Sequence, residues 1–161
     1  MHTASFAAAF EEDSLNDFAV VMEAGIVDMH ASGLWYSPSR PGFENDLNLT
    51  YRNNGTTNIS GTVSLTIDNT QQFTYAYPAP ASVAGQTISW SFTDMTIGTS
   101  EDIMVRLSTD ISVPLGTPLT HVLQVDAGGN EETPADNTAV IPDTVVASYD
   151  PNDKQVSPPT M

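Results

Sequence analysis

Hydrophobic and polar residues alternate with a period of two along most of this chain. In the stretch 42–67, GFENDLNLTYRNNGTTNISGTVSLTI, Leu47, Leu49 and Tyr51 alternate with polar neighbours, and Val63, Leu65 and Ile67 repeat the pattern beyond a run of Asn, Gly, Thr and Ser. Successive side chains of a strand point to opposite faces, so this is the signature of two antiparallel strands with one face in a core. The gap between them is longer than a two-residue hairpin, which lets the strands pair directly or cross between sheets.

The same alternation recurs downstream in Ile88, Trp90 and Phe92, in Ile103, Val105 and Leu107, and in Leu119, His121, Leu123 and Val125. In FTYAYP, the period places Phe73, Tyr75 and Tyr77 on one face of a strand that Pro78 ends, and three such rings on one face predict core. A final strand region, 138–149, is interrupted by Pro142, which suits an edge strand or a switch between sheets. Upstream, FAVVME from Phe18 reads as a first strand and 26–29 as a second, split from it by Gly25. The segment ASGLWYSPSRPG that follows, with Trp35 in it, reads as a loop.

Residues 1–17 have no strand character and read as a short irregular or helical tail; 150–161, rich in Pro and polar residues, reads as a linker. Between them, 18–149 holds roughly seven to nine short strands with no helix pattern, the signature of an all-β, immunoglobulin-like Greek-key sandwich, with a jelly roll as the second architecture.

Composition narrows the function classes. The chain has 161 residues, no cysteine, and 20 acidic residues against four basic ones, Arg40, Arg52, Arg106 and Lys154, for a formal charge of −16. One domain of this size buries a core without disulfides. So acidic a balance argues against nucleic acid and against anionic membrane surfaces as partners. No window reaches the run of roughly 18 apolar residues that a membrane span needs. No signal peptide begins at Met1, so a secreted parent protein implies that this stretch is internal to a longer chain.

No nucleophile elbow, phosphate-binding loop or zinc-type histidine pair is present. The histidines, His2, His30 and His121, are scattered, and His121 shares the inward parity of Leu119 and Leu123, which predicts a core or interface histidine. A glycosidase needs only two placed carboxylates, but no insertion large enough to form a cleft accompanies them. Two candidate groups remain. Trp35, Tyr36, Tyr75 and Tyr77 are aromatic side chains able to stack on a sugar ring or seat against a partner domain, the plainer reading being that they cover or fill the sandwich. Glu131, Glu132 and Asp136 with Asn137, and Asp150, Asn152 and Asp153, have the loop spacing of oxygen ligands for calcium, the plainer reading being solvated carboxylates beside turns.

Several stretches in order carry a resemblance: RPGFENDLNLTYRNNGTTNISGTVSLTI, ISWSF with the IMVRLS strand, VPLGTPLTHVLQVDAGGNEETPADNTAV, and VVASYDPNDKQVSP. Together, over 40–158, they resemble the immunoglobulin-like conserved repeat modules of the DUF11 and CARDB-like group, found in large secreted bacterial surface proteins. The terminal SYDPNDK is similar to the ending of such modules in bacteria that export proteins through the type IX secretion system. The chain departs from the pattern in its longer N-terminal region and in the Trp35-Tyr36 pair. The resemblance implies an extracellular, non-enzymatic module, adhesive or spacer, contacting neighbouring domains of its own chain and a polysaccharide or another surface protein. A carbohydrate-binding module attached to a polysaccharide-degrading enzyme is the alternative.

Overall fold

The computed structural model describes residues 22–147. The tail 1–17, most of the strand predicted from Phe18, and the linker with Asp150, Asn152 and Asp153 lie outside the described residues. Within them are nine strands: β1 (Met29–Trp35), β2 (Glu44–Asn53), β3 (Ile59–Thr66), β4 (Gln71–Tyr77), β5 (Ser82–Ala84), β6 (Thr87–Met95), β7 (Ser100–Thr109), β8 (Pro118–Asp126) and β9 (Thr138–Thr144). They form two antiparallel sheets, one of four strands in the order β1-β2-β7-β4 and one of five in the order β5-β6-β3-β8-β9. β2 and β3 belong to different sheets, so the loop at the centre of the sequence pattern is a crossover. The fold is an immunoglobulin-like β-sandwich.

The alternating apolar positions fill the space between the sheets. Leu47, Leu49, Tyr51, Val63, Leu65, Ile67, Trp90, Phe92, Val105 and Leu107 are buried in one continuous core. Two glycines stand where a side chain would not fit. A Cβ on Gly61, in β3, would stand 2.2 Å from the carbonyl oxygen of Asp126 in β8; a Cβ on Gly33, in β1, would stand 2.2 Å from Cδ1 of Ile141 in β9.

The expectation that 31–42 is a loop gives way over its first half. β1 runs through Trp35 and pairs with β2 from Met29 opposite Asn53 to Trp35 opposite Leu47. Its first three inward residues, Met29, Ala31 and Gly33, are small or flexible and lack the β-branched or aromatic character that marks a strand; only the fourth, Trp35, has it. The expectation that Phe73, Tyr75 and Tyr77 share an inward face also fails. The pairing of β4 with β7 shifts register between Phe73 and Tyr75, because a bulge inserts Thr74. One extra residue moves every later side chain to the opposite face. Phe73 therefore packs on the core and Ala76 is buried, while Tyr75 and Tyr77 point outward.

Polar side chains inside the sandwich are tied into networks. Asn53 is fully buried; its Nδ2 donates to the carbonyls of Thr57 (2.9 Å) and Met95 (3.0 Å), and its Oδ1 accepts from Gly55 N–H (3.0 Å). At the opposite end, Gln71 Nε2 donates to Ser39 Oγ (2.8 Å) and Thr109 Oγ1 (2.9 Å). These two ends also define the path of the chain. Residues before Met29 hydrogen-bond to the β2–β3 crossover, through Asn54 N–H to Asp28 O (2.8 Å), whereas Val145 and Val146 leave β9 at the other end, bonded to Thr117 and Ser39. The chain enters at one end of the sandwich and leaves at the other.

Candidate functional site

The bulge in β4 gives the four-stranded sheet an outer face bordered by exposed aromatic rings. Register fixes which residues share a row. Tyr75 lies opposite Arg106, Arg106 opposite Asp46, and the backbone N–H of Tyr36 donates to the carbonyl of Asp46. In the next row Tyr77 lies opposite Met104, Met104 opposite Asn48, and Asn48 opposite Leu34. Tyr75 and Tyr77 are 49% and 69% exposed on one margin; Leu34 and Tyr36 are each 66% exposed on the other. Three strand spacings of about 4.8 Å separate the margins, about 14 Å in all.

The centre of this face is polar and held in place by its own bonds. Arg106 holds Asp46 by both carboxylate oxygens, Nε donating to Oδ1 at 2.7 Å and a terminal nitrogen donating to Oδ2 at 3.1 Å. Hydrogen bonds from Arg106 hold the Asp46 carboxyl below the ordinary carboxylate range, against an opposing effect of burial. Asn48 Nδ2 and Thr50 Oγ1 both donate to Asp102 Oδ1, at 3.1 and 2.5 Å. Asp46, Asn48, Asp102 and Arg106 escaped sequence reasoning, because their kinship appears only once β2 and β7 are in register. The signal available was their shared outward parity around an isolated arginine in an acidic chain.

Trp35 does not join this face. It turns inward, against the core, and its ring meets that of His121. His121 is fully buried, as its parity predicts; its Nδ1 accepts a hydrogen bond from Asp68 N–H at 3.0 Å. Burial pushes its pKa down to about 4, against the opposing charges of Asp68 and Asp143.

The acidic loop 127–137 seals the free edge of β1. Glu131 accepts a hydrogen bond from the N–H of Met29, Glu132 N–H donates to Val27 O (2.8 Å), and Asp136 O accepts from Ala31 N–H (2.9 Å). The edge N–H groups of Met29 and Ala31, which would otherwise invite another strand, are thereby occupied. Glu131 thus has a structural task on the β1 edge, and Glu132 is exposed. Among the described residues, Asp136 Oδ1 and Asn137 Oδ1, with Asp28 Oδ1, are shielded from solvent and meet no hydrogen-bond donor. Among the described residues no group of three or more His, Cys, Asp or Glu side chains is placed to hold a metal ion. No helix among them is long and apolar enough to cross a membrane.

No protein-family model and no curated protein matches the chain. Solved structures do. The chain is similar to the CARDB domain of a Pyrococcus furiosus protein, a structure in complex with di-metal ions, at 12% identity over 84% of this chain and 99% of that one, with a TM-score of 0.58. It is similar to the major pilin subunit BcpA of Bacillus cereus at 12% identity over 75% of this chain and 41% of that one, TM-score 0.54. A cohesin module from a family 33 glycoside hydrolase of Clostridium perfringens matches at 11% identity over 76% of this chain and 99% of that one, TM-score 0.52. Likeness at these identities establishes the CARDB-like, immunoglobulin-like fold.

Proposed function

We propose that this chain is a non-catalytic module of a larger extracellular protein, at once a spacer in a string of domains and an adhesive unit that presents the outer face of its four-stranded sheet. The observation that carries the reading is that face: four exposed apolar or aromatic side chains bordering a fixed polar centre, which is more than a sheet needs merely to stay soluble. Entry and exit at opposite ends supports the spacer role, since neighbouring domains can then extend in line. The resemblance of 40–158 to repeats of secreted surface proteins, with the SYDPNDK ending, supports an extracellular address and export by a type IX system. That the similar folds include a pilin subunit and a cohesin module supports a modular role. The reading is tested by retention of the immobilised module on intact cell-surface and extracellular material. Binding should fall when Tyr77 and Leu34 are both replaced by Ser, and unchanged binding would remove the face from the account.

A second reading concerns calcium. Asp28 Oδ1, Asp136 Oδ1 and Asn137 Oδ1 are acceptors without donors among the described residues, a lack that oxygen-seeking cations satisfy. The Pyrococcus domain of similar fold is described with di-metal ions. We infer that calcium at Asp136 would stiffen the 127–137 loop against β1, and that the Asp150, Asn152 and Asp153 group is a second candidate. Millimolar calcium should raise the Tm, magnesium should do less because it gives up water reluctantly, and Asp136→Ala should remove the gain at its loop. Identical melting curves in calcium and in chelator would eliminate the metal.

A further inference from the structure

We propose that the outer face of the four-stranded sheet binds a neutral polysaccharide chain, laid across the strands between the Tyr75/Tyr77 margin and the Leu34/Tyr36 margin. This deepens the reading above and rests on it, since it names the ligand of the same face. The chemistry of the face distinguishes among occupants. A pyranose ring has a C–H face that lies flat on an aromatic ring and a hydroxyl edge that both gives and accepts hydrogen bonds; exposed tyrosines offer the first partner and fixed polar groups the second. Between the margins stand Arg106 clamped to Asp46, and Asn48 with Thr50 clamped to Asp102. After these internal bonds, Asp102 Oδ2, Asn48 Oδ1 and the remaining guanidinium N–H groups have capacity left for hydroxyls, and they are already positioned, so little ordering cost falls on binding.

Three observations argue for a neutral glycan. The chain carries a formal charge of −16, and Glu44, Asp46 and Asp102 lie on or beside the face, so a uronate or sulfated polymer would be repelled. The guanidinium that could have attracted an anion is committed to Asp46 and lies within 4.0 Å of Glu44. Protein interfaces concentrate apolar side chains at the centre and polar ones at the rim; here the charged groups stand in the middle, beside Met104, and the exposed Leu34 and three tyrosines stand at the margins. The span of about 14 Å accommodates two to three sugar units of about 5 Å each, a length comparable to three strand spacings.

The test uses the whole chain and, as probes, soluble neutral glucans, mannans and xylans beside polygalacturonate and alginate. Affinity electrophoresis and amide chemical-shift mapping are read together. A neutral polymer should retard the protein and shift resonances of β2, β4 and β7, and Tyr77→Ala and Asp102→Ala should each weaken binding about tenfold. Both positions are exposed, and an unchanged Tm in each variant shows that the loss is local. Retardation by the anionic polymers alone would overturn the proposal. So would failure of every glycan while the face-dependent retention on cell-surface material persists; that outcome leaves the adhesive reading intact and makes the partner a protein. Loss of both would overturn both.

Discussion

Trp35 and His121 meet edge to face inside the sandwich, their ring centroids 5.0 Å apart and their planes at 61°. The contact joins β1 of one sheet to β8 of the other and explains why Trp35 is absent from the exposed face. It also places a titratable ring where water does not reach, which makes stability depend on pH.

The unfolded chain binds a proton at His121 as pH falls through about 6.5, whereas the folded chain resists until about 4. The unfolded state therefore holds more protons across that window, so stability drops as pH falls through it and is independent of this group above it. Denaturant melts should show a loss of about 2 kcal/mol between pH 7 and pH 5. Ordinary carboxylates titrate lower and barely contribute there. In His121→Phe the slope should largely vanish. An equal slope in the variant would show that His121 is not its source.

Leu49 and Leu65 are fully buried on facing sheets. Replacement of either by Ala should cost about 2–5 kcal/mol, the range for opening a cavity where a leucine stood. An unmoved midpoint in urea would contradict the inward face assigned to β2 or β3.

Gly61 and Gly33 present the same 2.2 Å obstruction to a new methyl group, but of different kinds. At Gly61 the obstacle is the backbone oxygen of Asp126, which cannot move without breaking the pairing of β3 with β8; at Gly33 it is the tip of the Ile141 side chain. Gly61→Ala should therefore cost about 3 kcal/mol and Gly33→Ala about 1 kcal/mol, spanning the range seen for overpacking. The order of the two Tm values checks the difference, and the reverse order would refute it.

Asn53 supplies two donors and one acceptor to backbone groups: the carbonyls of Thr57 and Met95 and the N–H of Gly55. Asn53→Asp keeps the shape and the acceptor but abolishes both donations and buries a charge. It should cost about 3 kcal/mol at neutral pH, and part of the loss should be recovered as the carboxyl is protonated at lower pH. Equal destabilisation at pH 7 and pH 5 would show that charge is not the cause.

The core was legible because β2, β3, β7 and β8 keep an unbroken period of two and β6 keeps it from Ile88 to Phe92, before a register shift brings Met95 inward; the burial of Leu47 or Val105 follows from that alternation alone. β1 was illegible because its inward series opens with Met29, Ala31 and Gly33, none of them a strand former, and at Gly33 the closeness of Ile141 leaves no room for a side chain. The aromatic face was half legible. Tyr36, Tyr75 and Tyr77 stand out by residue type, but a bulge depends on the partner strand, so nothing in FTYAYP announces that the inward series changes at Thr74. Asp46, Asn48 and Asp102 acquire meaning only through cross-strand register, which alternation within one strand does not contain. The buried Asn53 and Gln71 contradict the apolar-in rule and answer instead to the backbone and hydroxyl groups around them.

The path of the chain has a mechanical consequence. β1 runs away from the end where the chain enters, and β9 runs toward the end where it leaves, each paired along its whole length with one antiparallel neighbour. Tension between the two ends therefore pulls both strands along their own axes. The ladder from Met29 to Trp35 and the one from Gln124 opposite Thr138 to Pro118 opposite Thr144 are loaded in shear, with all rungs sharing the force, and neither strand can be peeled away one rung at a time.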